Sequence, residues 1–189
     1  AFLTKKNQRV IVSGALGAMG FALPASIGAS FAEPDKNIFC IVGDGSAQLN
    51  IQELQTIKHH NLNCKVLIIN NNGYASIRNS QSAFLNGHLA GCSENTGVSF
   101  PNWKQLSNSY SIPYKTIDKP YEIKKMLNDI TNTKGPILVE ILIPENVKML
   151  PSVTSTRLED GTLESNQLHE MSAKLSDDIL KKMNQIKLI

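Results

Sequence analysis

The sequence predicts a doubly wound α/β fold, a mostly parallel sheet flanked by helices, and two observations carry that expectation. Short apolar runs, among them Ile38-Phe39-Cys40-Ile41-Val42 and Val66-Leu67-Ile68-Ile69, alternate with segments of helical periodicity, as in strand–helix–strand units whose parallel strands are buried on both faces. Two polar motifs, Gly43-Asp44-Gly45-Ser46 and Asn70-Asn71-Asn72-Gly73, stand where those two runs end. Ligands of open parallel sheets gather beyond the carboxyl ends of the strands.

In chain order, Arg9–Ser13 reads as a first strand. A helix follows from about Met19, and its small residues Ala22, Ala25, Gly28 and Ala29 suit close packing on a strand or a second helix. Ile38–Val42 is the next strand, then a helix from Ile51 with a capping-box pattern, Asn50 to Glu53, and with Ile51, Leu54 and Ile57 on one face. Lys65–Asn70 is a third strand, followed by a loop and a helix from Asn102 on which Trp103, Leu106 and Tyr110 repeat at the spacing of a core face. Pro113–Ile117, a helix from Pro120 and Ile137–Ile143 complete the pattern. Right-handed crossovers bring all strand carboxyl ends to one edge, so Asp44 and Asn71 are expected to share a site.

From Pro144 onward the apolar periodicity fades. Residues 1–144 are therefore read as the α/β domain and 145–189 as a tail of loop and turn, with a short amphipathic helix from Asp177 that carries Ile179, Leu180, Met183 and Ile186.

Composition narrows the function classes. The chain has 189 residues, 41% hydrophobic and 19% charged, with a formal net charge of +3 and no clustering of its basic residues, which points away from nucleic acid and membrane surfaces. No apolar run approaches the ~20 residues of a membrane span, and the start lacks Met and a signal-peptide pattern; the expectation is a cytoplasmic protein trimmed at its N-terminus. Cys40, Cys64 and Cys92 form no Cys-x-x-Cys pair and read as small apolar fillers. His59, His60, His88 and His169 sit in no recognisable motif and read as surface residues.

The two polar motifs suggest their own chemistry. Asp44 and Asn71, twenty-seven residues apart, offer the hard oxygen ligands that Mg²⁺ takes when it also holds phosphate, and the Gly45 and Ser46 amides allow close approach of phosphoryl oxygens. The pair reads as a Mg²⁺–pyrophosphate clamp.

Four blocks in order extend that reading: Ser13-Gly14-Ala15-Leu16-Gly17-Ala18-Met19-Gly20-Phe21-Ala22-Leu23-Pro24, Gly43 to Leu54, Lys65 to Gly73, and Lys134-Gly135-Pro136. Together they resemble the cofactor-binding sequence of thiamine diphosphate enzymes, in their acetolactate synthase-like branch, over nearly the whole chain. The resemblance implies thiamine diphosphate and Mg²⁺ as cofactors, with Asp44 and Asn71 as side-chain ligands of the metal and Gly73 as a main-chain carbonyl ligand. Gly45 and Ser46 would donate to the diphosphate, with Gly43 and Tyr74 completing the cofactor-binding set. The Gly17 carbonyl would accept from the exocyclic amine of the pyrimidine, and the Met19 side chain would wedge between the two rings, bending the cofactor so that the amine meets thiazolium C2.

The implied activity is decarboxylation of a 2-oxo acid followed by carboligation or protonation. The family's catalytic Glu belongs to a separate pyrimidine-binding domain, N-terminal to this one, so no catalytic residue is assigned within these 189 residues. The chain is expected to be a C-terminal fragment or separate subunit that works with that domain, in the same or another chain, as a homodimer or homotetramer. Ser76 and Ser80 stand where acetolactate synthase-like enzymes carry the Met and Trp of the acceptor pocket, and Arg78 is a candidate for a substrate carboxylate, for a surface position or for a role in the cofactor loop. The loop from Ser82 to Phe100 reads as a mobile cover. Two alternatives accompany this reading: C–C bond hydrolysis on a cyclic or sugar-derived ketone, and a non-catalytic Mg²⁺–phosphate module or regulatory subunit.

Overall fold

The computed structural model describes residues 3–147, 150, 152–167, 171 and 176–184. The chain divides into two compact units, Ala1–Val147 and Lys148–Ile189.

The first unit is built on a four-stranded, wholly parallel sheet. Its strands are β1 (Ile38–Gly43), β2 (Cys64–Asn70), β3 (Tyr114–Ile117) and β4 (Ile137–Leu142), in the order β1-β2-β4-β3. The register pairs Cys40 with Val66 and Val66 with Leu138, so side chains of like parity line one face across the sheet. On that face Cys40, Val42, Cys64, Val66, Ile68 and Leu138 pack with Leu23 of α1 (Ala22–Ala32), with Leu54 and Ile57 of α3 (Glu53–His59), and with Trp103 of α5 (Trp103–Ser109). The opposite face carries Leu67, Ile137, Val139 and Ile117, covered by Ile130 and Met126 of α6 (Ile123–Asn132). Helices on both faces explain why β2 and β4 are apolar at nearly every position. All three cysteines are buried free thiols, and Leu106 and Tyr110 pack on the first core with Trp103.

Four local expectations change. Arg9–Ser13 forms no strand, and Val10, Ile11 and Val12 are exposed; β-branched residues make a strand only where a neighbour supplies a ladder, and β1 pairs with β2 alone among the described strands. The helix expected from Met19 starts at Ala22 and turns Leu23, Ser26 and Ser30 inward, while Gly28 is exposed. Asn50 does not cap α3. Its Nδ2 donates to the Gly20 carbonyl at 2.7 Å and its Oδ1 accepts from Gln52, so a separate short helix α2 (Asp44–Gln48) follows β1 directly and α3 begins only at Glu53.

The fourth change is α4 (Ala75–Phe84), which lies where the sequence reads as loop. Its Ser and Asn content hid it, since those side chains compete for backbone groups in a helix. Tertiary bonds hold it instead: Gln81 exchanges two hydrogen bonds with the Ala90 main chain, both at 3.0 Å. The segment expected as a mobile cover thus contains the end of α4 and a single 3₁₀ turn, Glu94–Thr96, closed by a Ser93–Thr96 capping box.

Within the second unit, β5 (Ser155–Arg157) and β6 (Leu163–Ser165) form an antiparallel hairpin. Asp160 closes its turn by accepting from the Thr162 amide and hydroxyl. The last described helix is α7 (Asp177–Asn184). His169 lies outside the described residues.

Candidate functional site

Asp44 opens α2 immediately beyond β1, and Asn71 follows the last residue of β2, so two adjacent parallel strands deliver them to the same edge. The Asp44 carboxylate is 2% exposed. Its Oδ1 accepts from the Gly45 amide at 2.7 Å, and its Oδ2 accepts from the Asn71 amide at 3.2 Å and the Gly73 amide at 3.0 Å. Burial pushes the Asp44 carboxyl above its usual value, while those three amides and the positive Arg78 pull it down. One short carboxylate therefore shapes both motifs at once.

The loop after β2 has its main-chain donors assigned one by one. Asn71 and Gly73 donate to Asp44, Asn72 donates to Asn70 Oδ1 at 3.0 Å, and Tyr74 donates to the Cys92 carbonyl at 2.9 Å. Arg78, 7% exposed, fastens the other side. Its guanidinium donates to the carbonyls of Asn71 (2.9 Å), Asn72 (3.1 Å), Cys92 (3.3 Å) and Glu145 (3.0 Å). A surface role for Arg78 is overturned by its burial: the fork points into the protein and ties three segments together.

What remains in this loop is the side chain of Asn71. Its Oδ1 is buried and has no hydrogen-bond partner among the described residues. A buried amide oxygen left without a donor costs about 1–3 kcal/mol, and beside a carboxylate it has the chemistry of a hard-cation ligand. No three His, Cys, Asp or Glu side chains cluster among the described residues. The candidate donors are one carboxylate, one amide oxygen and the Gly73 carbonyl, a set that suits Mg²⁺ sharing its shell with phosphate and water better than a thiolate- or imidazole-seeking metal.

The other sequence candidates fall around this pair. Gly17, with φ 55°, ends a 3₁₀ turn, and Met19 is half exposed. Gly20, next in the chain, is tied to the segment after β1: its amide donates to Ser46 Oγ at 2.9 Å and its carbonyl accepts from Asn50. Gly43 caps the N-terminus of α2. The Gly45 amide faces the Asp44 carboxylate, and Gly45 Cα lies under the Tyr74 ring so closely that an added Cβ would meet Tyr74 Cε1 at 2.1 Å. Tyr74 stacks edge-on against Phe100, centroids 5.7 Å apart. Ser76 and Ser80 are exposed on α4.

Sequence reasoning missed a half-buried network behind the loop. Asn70 Nδ2 donates to Glu140 Oε1 at 2.6 Å, and the Tyr114 hydroxyl donates to Glu140 Oε2. Burial, and then the hydrogen bond to and charge of Glu140, push the Tyr114 phenol up to about 12. The signal was present: Glu140 is the one charged residue within the apolar run Ile137–Ile143, and such a group needs partners. A cavity of about 470 Å³ borders the network, lined in part by Asn72, Phe100 and Trp103.

Comparison with known proteins identifies a family. Residues 1–141 match the family model for the thiamine pyrophosphate enzyme, C-terminal TPP binding domain. The chain is 36% identical over 152 residues to an acetolactate synthase large subunit from Cyanidium caldarium, covering 80% of this chain and 26% of that protein. It is 36% identical over 155 residues to the chloroplastic acetolactate synthase of Arabidopsis thaliana (80% and 23%), and 34% over 149 residues to an acetolactate synthase large subunit of Lactococcus lactis (79% and 25%). The chain spans about a quarter of the length of these curated relatives.

Proposed function

Because the chain belongs to the thiamine pyrophosphate enzymes through their C-terminal TPP-binding domain, we propose that it holds the diphosphate end of thiamine diphosphate through Mg²⁺ in an enzyme acting on a 2-oxo acid, by decarboxylation and carboligation of the acetolactate synthase-like kind. The observation that carries the Mg²⁺ reading is the orphaned, buried Oδ1 of Asn71, the residue whose amide donates to the buried Asp44 carboxylate. Gly73 supports it by offering a carbonyl from the same loop.

When bound, thiamine diphosphate supplies the electron sink for loss of CO₂. The residues of this chain bind and orient it. Asp44 and Asn71 hold the cation, the α2 segment from Gly43 to Ser46 faces the phosphates, and Gly17 and Met19, moored through Gly20, hold the rings. Exposed Ser76 and Ser80 present small hydroxyl groups on the substrate side, in an assembly that is a homodimer or homotetramer completed by a pyrimidine-binding domain.

Calorimetric titration of the complete protein with thiamine diphosphate and Mg²⁺ tests the reading. Asp44→Ala and Asn71→Ala are each expected to lower Mg²⁺-dependent cofactor affinity by at least about 100-fold, because the removed oxygen leaves cation and phosphate charge poorly compensated. Unchanged affinity in either variant would remove the clamp.

A further inference from the structure

We propose that Glu140, held by Tyr114, is a positioning residue for the divalent-cation loop, acting through the Asn70 side chain; this rests on the cation reading of Asp44 and Asn71.

The geometry runs from the half-buried Glu140 carboxylate to the loop. Glu140 lies in β4, and its two carboxylate oxygens accept from two different donors, the Asn70 amide at 2.6 Å and the Tyr114 hydroxyl. A carboxylate accepts only, so it dictates which end of the Asn70 amide faces it. With Nδ2 turned toward Glu140, Oδ1 is left to accept the Asn72 N–H at 3.0 Å. That bond closes the turn in which Asn72 adopts φ 54°, a left-handed conformation, between the side-chain ligand Asn71 and the carbonyl ligand Gly73. Without Glu140 the Asn70 amide is free to rotate by half a turn and set its NH₂ against the Asn72 N–H, donor against donor. The turn then loses its closing bond, and Asn71 Oδ1 loses its fixed direction. Burial and Glu140 push the Tyr114 phenol up from its ordinary value, so it remains a donor to Glu140 across the working range.

Mn²⁺ binding reads this directly, through the EPR signal of free Mn²⁺ titrated into the complete protein at saturating thiamine diphosphate. Glu140→Leu is expected to weaken Mn²⁺ about 10- to 100-fold, the cost of removing a group that orients a metal ligand. Glu140→Gln, which can still accept from Asn70 while its NH₂ donates to the Tyr114 oxygen, should stay within about threefold of wild type. Tyr114→Phe, which preserves the packing, should weaken binding severalfold. In an Asn70→Ala background Glu140→Leu should add nothing, because the coupling runs through the missing amide. Wild-type Mn²⁺ affinity in Glu140→Leu and Tyr114→Phe, with Asn71→Ala weakened, would overturn the positioning role alone. Wild-type affinity in Asn71→Ala would overturn the cation site and this role with it.

Discussion

Gly73 is the residue whose replacement the site tolerates least. It has φ +143°, and a Cβ there would lie 2.1 Å from the Cys92 carbonyl oxygen and 2.5 Å from Arg78 Nη1. Neither neighbour can retreat, since the Cys92 carbonyl accepts from the Tyr74 amide and from Arg78. Gly73→Ala is expected to destabilise the unit by about 2 kcal/mol or more, from backbone strain plus overlap, read as a lower urea midpoint at unchanged slope. Tyr114 gives a prediction in pH. Burial and Glu140 push its folded pKa up to about 12, above the ordinary tyrosine value of 10.0, so the folded state keeps a proton that the unfolded chain releases first. The stability this contributes is fully present below pH 10 and is lost as pH rises through 12. Urea melts from pH 9 to 12 should show that loss in wild type and a smaller one in Tyr114→Phe.

At the scale of elements, Lys65 shows how the crossover into β4 is pinned. The residue is fully buried in β2, and its ammonium donates to Asn63 Oδ1 (2.7 Å), the Thr133 carbonyl (2.5 Å) and the Gly135 carbonyl (2.6 Å). The link joins the start of β2 to the turn between α6 and β4. Lys65→Met keeps the apolar stem but strands three acceptors, and is expected to cost about 1–3 kcal/mol, measured as a drop in melting temperature. Elements such as β1, β2 and β4 were legible in the sequence because a strand buried on both faces has to be apolar throughout. The meeting of Asp44 with the Asn71 loop was legible for a related reason, since parallel strands end on one edge. Other elements were not legible because their causes are tertiary. Residues 75–84 are helical through Arg78 and Gln81, and Asn50 was claimed by Gly20 instead of by its own helix. The Glu140 network was hidden because its partners come from three strands.

For the whole molecule, the relevant scale is the quarter of its relatives' length that the chain spans. On the proposed function the described side chains at the site would bind and orient the cofactor, and none of them is assigned as its general acid or base. The 189 residues alone, with saturating thiamine diphosphate and Mg²⁺, are therefore expected to show no turnover of pyruvate or other 2-oxo acids, since acid–base assistance contributes roughly 10²–10⁴-fold. Adding the region that supplies the family's Glu should restore C2 proton exchange on the cofactor and turnover with it. Exchange by NMR at full rate in the chain alone would contradict this division of labour.

The strand order β1-β2-β4-β3 also governs how this protein is made. Because β4 is the last of this sheet's strands in sequence yet sits between β2 and β3, a ribosome that has released residues up to 132 has exposed α6 and three strands, of which only β1 and β2 can pair. Tyr114–Ile117 has no neighbour, and Leu67, Ile117 and Ile130 have no common layer, until Ile137–Leu142 slides between them. The emerging polypeptide must therefore carry an apolar strand and an amphipathic helix uncommitted for the time it takes to translate the stretch through Leu142, the interval in which a holding chaperone has most to protect.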